Sequence, residues 1–252
     1  GRVTARPGQP GMFDGVPCLV ENAHNASLPA ECNMMVFFAL LLAITVPLLI
    51  RAEIRGNSPQ IYVLKPISTL LVIGVAAISL GEPTHNTTYS YWILLGLCLC
   101  LGGDIALMFQ QRRKPFLLGL VLFLLGHIAY TVAFTLLGNA SGWSLLSALL
   151  LLAAGLAFFR LIAAQLGSMR IPVILYFLVI SLMVVQATGL PTSPAVNGPQ
   201  AIMVISGALL FYLSDVMLAA NRFWRPWRYN RISLAFYYGG QFLIAMSANY
   251  FI

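Results

Sequence analysis

Charge is what this sequence has least of. Only 8% of its 252 residues are Asp, Glu, Lys or Arg, against about 25% in a soluble domain, which excludes a water-facing fold around one core. Histidine is nearly as scarce. Of three, His24 and His85 lie in polar stretches and only His127 in an apolar one, and no His-Glu-x-x-His run occurs, so a zinc hydrolase lacks ligands. The absence of a Gly-x-Ser-x-Gly elbow argues against a serine hydrolase. The four cysteines make no metal cluster. Cys98 and Cys100 stand two apart in an apolar run and point to different helix faces. Cys18 and Cys32 lie in a polar N-terminal stretch, where export would permit a disulfide. Of seven acids, only Asp104 and Asp215 are embedded in apolar sequence. A carboxylate near the centre of a membrane helix costs roughly 2.5–3.5 kcal/mol by insertion scales. Two such residues ask for a function.

What is present is apolar length. Sixty per cent of the chain is apolar, in long runs rather than in the period-two alternation of a barrel strand. Residues 1–33 are polar, with Pro, Gly and Asn and no periodicity, and read as a flexible tail. Eight apolar segments then follow, at 34–51, 61–80, 91–109, 116–137, 144–165, 171–189, 200–220 and 232–252, most of them near the ~17–25 residues that span a bilayer. The fold class is therefore all-α, a polytopic membrane protein with eight transmembrane helices in one domain, 34–252. The net charge of +7 is no nucleic-acid signal, because the basic residues are scattered among short loops. Arg51 and Arg55 flank the first connection; Arg112, Arg113 and Lys114 fill the third. Arg160 and Arg170 flank the fifth, and Arg222, Arg225, Arg228 and Arg231 fill the seventh. The second, fourth and sixth connections carry no Lys or Arg. The positive-inside rule makes the odd connections cytoplasmic and both termini non-cytoplasmic. The sequons at Asn25, Asn86 and Asn139 fall on the non-cytoplasmic side.

An internal repeat is faintly visible. Gly103-Asp104-Ile105-Ala106-Leu107 reads like Ser214-Asp215-Val216-Met217-Leu218, 111 residues later. Pro115 and Pro226 follow the two aspartates at one spacing, each between a basic and an aromatic residue. The pattern suggests two parallel four-helix halves with one Asp each.

A rise of ~1.5 Å per residue converts position into depth. Asp104 and Asp215 each lie a turn or so before the inner end of their helices. Lys65 lies the same distance past the inner start of the second helix, and Tyr237, Tyr238 and Gln241 past that of the eighth. His127 and Tyr130 sit deeper. Most embedded polar groups thus share one layer in the cytoplasmic half. Each has a structural reading too: Lys65 can snorkel, the tyrosines can form an interfacial belt, and His127 and Gln241 can bond neighbouring helices. An aspartate is too short to snorkel, so both must pair internally or face a polar cavity. Two carboxylates at one depth suit acid–base work, one protonated by a low-dielectric setting and one ionised beside Lys65 or water. An intramembrane aspartyl protease would need Gly-x-Gly-Asp, but Leu101 stands at the first glycine position.

Taken in order, Lys65-Pro66, Gly103-Asp104, His127 with Tyr130 and Phe134, Leu213-Ser214-Asp215, and Tyr237-Tyr238 with Gln241 resemble the YhhN-like lysoplasmalogenase family of eight-helix membrane proteins, over about residues 34–252. The resemblance implies hydrolysis of the vinyl ether of a lysophospholipid to a fatty aldehyde and glycerophosphoethanolamine or glycerophosphocholine. It implies Asp104 and Asp215 as the catalytic pair. Lys65, Arg222 and Asn221 are candidates to hold the phosphate, with His127, Tyr130, Tyr237, Tyr238 and Gln241 in support. No metal or organic cofactor is required, and the partners are the lipid substrate and the surrounding bilayer, a bacterial inner membrane or endoplasmic reticulum. A proton-coupled transporter is the alternative from another class.

Overall fold

The computed structural model describes residues 30–81, 86–227 and 230–249. Eight α-helices follow in chain order: α1 Ala30–Arg55, α2 Ser58–Ile78, α3 Thr87–Leu107, α4 Arg113–Leu137, α5 Gly142–Ile162, α6 Arg170–Ala187, α7 Gly198–Phe223 and α8 Ser233–Ser247. No strand occurs among the described residues. Helices α1 to α7 are long and apolar enough to cross a membrane; α8 covers 15 described residues. The chain is an integral membrane protein of the all-helical kind expected. Helix α1 starts at Ala30, inside the stretch read as a tail. The rest of that stretch, with the Cys18–Cys32 pairing and the Asn25 sequon, lies outside the described residues.

Small polar residues start the helices. Asn57, Asn86, Ser141 and Asn197 each accept a hydrogen bond from a backbone N–H one turn on, at 3.4, 3.0, 3.2 and 2.8 Å, satisfying a donor that a helix start leaves orphaned. Asn86, noted as a sequon, is therefore the N-cap of α3. Asn86 and Asn197, the caps of α3 and α7, stand 111 residues apart, as do Asp104 and Asp215 further along the same two helices.

The packing closes a ring. Helices α2, α3, α4, α6, α7 and α8 each touch the next, and α8 returns to α2, while α1 lies outside on α2 and α8, and α5 outside on α6. Helix α5 accordingly buries only Ser144 and Ile162. Two contacts in the ring are much closer than the rest, and glycine makes both. On α3, a Cβ at Gly103 would stand 2.7 Å from the Phe123 ring of α4. Between α7 and α8, a Cβ at Gly240 would stand 2.7 Å from the Gly207 carbonyl oxygen and 2.9 Å from the Phe211 nitrogen. Lipid tails are as apolar as side chains, so close backbone approach, not water exclusion, holds such helices together. Gly240→Leu must push α8 off α7 and is expected to cost about 3 kcal/mol. Thermal unfolding in detergent checks this, with Gly142→Ala as the control, because a Cβ there meets nothing within 4 Å.

Candidate active site

Asp104 is almost fully buried, at 1% exposure, and is surrounded by donors from two helices, α2 and α8. Thr69 and Tyr237 donate to its Oδ2, each at 2.7 Å. The Lys65 ammonium stands 3.5 Å from its Oδ1. Behind these, Tyr238 donates to the Lys65 carbonyl at 3.0 Å and Gln241 donates to the Tyr237 hydroxyl at 3.0 Å. This environment supports a negative charge. A buried carboxylate needs a countercharge and filled lone pairs, and both are present. Lys65 is thus buried and engaged, not snorkelled.

Asp215 has a sparser shell. Tyr176 of α6 donates to its Oδ2 at 2.6 Å, and His127 Nε2 of α4 stands 3.5 Å from the same oxygen. The His127 ring is fixed edge-on to Tyr176 and Phe211, with centroids 5.3 and 4.6 Å away. No Lys or Arg pairs with Asp215 among the described residues.

Two pairs of residues in the two shells share the 111-residue offset of the aspartates. Lys65 and Tyr176 are 111 residues apart, and so are His127 and Tyr238. Helix α8 serves the aspartate of α3, and α4 serves the aspartate of α7. Neither four-helix half therefore completes its own site.

The two aspartates line one cavity. A space of about 60 Å³ is walled by both, with Lys65, Phe123, Ser214 and Tyr237, large enough for a few waters. It adjoins a cleft of about 430 Å³ that Asp215 also lines, with Phe116 and Phe177 along its wall and Gln110, Asn221, Arg222 and Arg231 towards the basic end. Leu107, Phe123, Asp215 and Arg231 border both spaces, so Asp215 stands at their junction. The Arg222 guanidinium lies over the Phe116 ring, 5.1 Å from its centroid, which holds a cation at the cleft without consuming its hydrogen bonds in an ion pair. Arg231 pairs with Glu53 at 3.3 Å.

Most residues singled out from sequence meet here. Asp104, Lys65, Tyr237, Tyr238 and Gln241 form one shell; Asp215 and His127 belong to the other; Asn221 and Arg222 line the cleft. Lys65 is committed to Asp104 and borders the small cavity, away from the phosphate role considered for it. Asn221 Oδ1 accepts from the Trp227 backbone at 2.9 Å and so shapes the loop after α7. Tyr130 stands apart. It faces Cys100, with 3.9 Å between hydroxyl and sulfur, and stacks on Phe134 in the core. Cys98 is exposed and Cys100 buried, the two faces expected. Thr69, Tyr176, Ser214, Glu53 and Arg231 were not anticipated as site residues. Tyr176 had a signal in the sequence, its offset of 111 from Lys65. Thr69 had none, since threonine in a membrane helix is ordinary.

Comparison with known proteins gives a consistent match. The YhhN family model fits residues 60–248. The uncharacterized membrane protein YhhN of Escherichia coli O157:H7 is 29% identical over 219 residues, covering 84% of this chain and 99% of that protein; the YhhN of Shigella flexneri matches equally. The human lysoplasmalogenase TMEM86A is 32% identical over 158 residues, 62% of this chain and 64% of its own length. No solved structure matches.

Proposed function

The chain belongs to the YhhN family, and on that basis we propose that it is a lysoplasmalogenase, hydrolysing the vinyl ether of a lysophospholipid with Asp104 and Asp215 as the catalytic pair. The observation that carries this reading is the shared cavity, which puts two unlike carboxylates around one small polar space at the end of a lipid-sized cleft. Relatives of this chain bear the name lysoplasmalogenase, and the chemistry suits the difference between the two shells.

Vinyl ether hydrolysis begins with proton transfer to the alkene carbon distal to oxygen, giving an oxocarbenium ion. Water then adds at the carbon bonded to oxygen and loses a proton, and the hemiacetal collapses to aldehyde and the glycerol hydroxyl. Among the described residues Asp215 has no Lys or Arg partner and it borders the cleft through which substrate would arrive, so it is assigned as the acid. Asp104 is held as a carboxylate by Lys65, Thr69 and Tyr237. It faces the developing cation and takes a proton from the attacking water, the division of labour of paired carboxylates in glycosidases. Arg222 supplies charge for the phosphate, while Arg231 beside it is already balanced by Glu53. The basic end is read as cytoplasmic, so the headgroup would sit in that leaflet.

Purified protein incubated with a lysoplasmalogen in D2O, with the product reduced at once to the alcohol, tests this directly. The expected product carries one deuterium at the carbon next to the former aldehyde carbon, and the saturated ether analogue is untouched. No aldehyde from any vinyl ether lyso-lipid, or flux across liposomes without conversion, would overturn the reading. Tyr176→Phe removes the hydroxyl that orients Asp215. As Asp215 gives up its proton this bond comes to serve a carboxylate, where a hydrogen bond is worth ~1.5–3 kcal/mol, so kcat is expected to fall by about tenfold or more with little change in KM.

A further inference from the structure

Outside the ring, α5 and α6 do not close on each other. A groove of about 500 Å³ runs between them, within the ~300–1,000 Å³ of a small-molecule site. Its walls are aliphatic and aromatic, with Ser181 the one polar side chain. It extends from Ile162 to Ala148 on α5 and from Val173 to Val185 on α6, which at the helical rise is roughly 20 Å. One leaflet of hydrocarbon is about 15 Å deep, so the groove is as long as a single lipid chain. It adjoins the catalytic cleft, with Val173 and Phe177 lining both. The polarity is also ordered. Arg222 stands at one end of the cleft, Asp215 follows two turns before it on α7, and beyond Phe177 the lining is apolar apart from Ser181.

We propose that the α5–α6 groove is the subsite for the alkenyl chain, and that Gly155 sets the length of chain it accepts. This rests on the lysoplasmalogenase reading above. The headgroup would lie at Arg222, the vinyl ether at Asp215, and the chain would pass Phe177 into the groove. Gly155 lies on the groove wall about half-way along, and a Cβ built on it meets nothing within 4 Å. A larger side chain there enters open groove space and leaves the ring helices undisturbed. Helix propensity also favours losing the glycine.

The test measures kcat/KM of the full-length protein for octadecenyl and decenyl lysoplasmalogens. In Gly155→Phe the ratio of long to short is expected to fall at least tenfold. Ala153→Phe adds comparable bulk on an exposed part of α5 outside the groove lining and is expected to keep the wild-type ratio. A folded Gly155→Phe protein with the wild-type ratio would overturn the proposal. A second measurement needs neither variant nor turnover. A saturated ether lyso-lipid with a diazirine at its chain end is photolysed on the wild-type protein. Labelling on the groove faces of α5 and α6, suppressed by excess unlabelled ether lipid, supports the subsite. Labelling that is scattered over α1 and the outer helix faces, or is not competed, sinks it. Wild-type protein inactive on every vinyl ether would remove the enzymatic reading, and the cross-links would still decide the groove.

Discussion

Asp215→Asn is expected to lower aldehyde release by about 10²–10⁴-fold, the usual contribution of a positioned general acid. The amide has the shape of the carboxyl and still offers an oxygen to the Tyr176 hydroxyl, 2.6 Å away, so the shell survives while the transferable proton is lost. Asp104→Asn attacks the other half of the chemistry. Its amide keeps an acceptor for Thr69 and Tyr237 but cannot balance an oxocarbenium ion or take a proton from water. Loss of one preorganised electrostatic group costs about 10²–10³-fold. The two losses should not multiply, because both residues act in one step. Initial rates on one lysoplasmalogen, beside melting curves of each variant in detergent, are the measurement. Full activity in either single variant would leave the paired-carboxylate mechanism without support.

Lys65→Met is expected to be the most damaging single substitution for stability, at about 3–5 kcal/mol, because it strands a buried carboxylate. Lys65 Nζ is 3.5 Å from Asp104 Oδ1, and both residues are buried. The hydroxyls of Thr69 and Tyr237 can bond the remaining charge but cannot neutralise it. Lys65→Met combined with Asp104→Asn removes both charges and should recover most of the loss, since replacing a buried pair with neutral groups of like volume is often neutral or better. The recovered protein should nevertheless stay inactive, which separates what the pair does for the fold from what Asp104 does for the reaction. If Lys65 only reached for the interface, Lys65→Met would fall within about 0.5 kcal/mol of wild type. Chemical unfolding of the four proteins completes the cycle.

The sequence alone was enough to pick out most residues of the candidate site and to group them in one layer. A carboxylate in a membrane helix is costly enough to announce itself, so Asp104 and Asp215 stood out. The depths of Lys65, His127, Tyr237, Tyr238 and Gln241 followed from where their apolar runs begin. Helix number followed in the same way, because backbone groups in hydrocarbon must bond within their own segment and the segment is then written in the sequence as apolar length. Tyr130 shows the limit. It shares helix and approximate depth with His127, but three residues turn it towards Cys100 and the core.

Tertiary structure decided which helices are neighbours. Apolar surface is nearly uniform around these helices, so hydrophobicity carries little information about which face meets which partner. Shape decides instead, through contacts such as Gly103 on Phe123 and Gly240 on Gly207. Only the closed ring brings α4 to the aspartate of α7 and α8 to the aspartate of α3. It also makes one aspartate shell rich in donors and the other poor, and it leaves α5 far enough from the ring to form a lipid-sized groove beside the cleft. The sequence determined the layer of polar residues because burying charge in hydrocarbon is expensive at every orientation. The pairing within that layer waited for the fold because close packing depends on shape, and shape is a property of surfaces in contact.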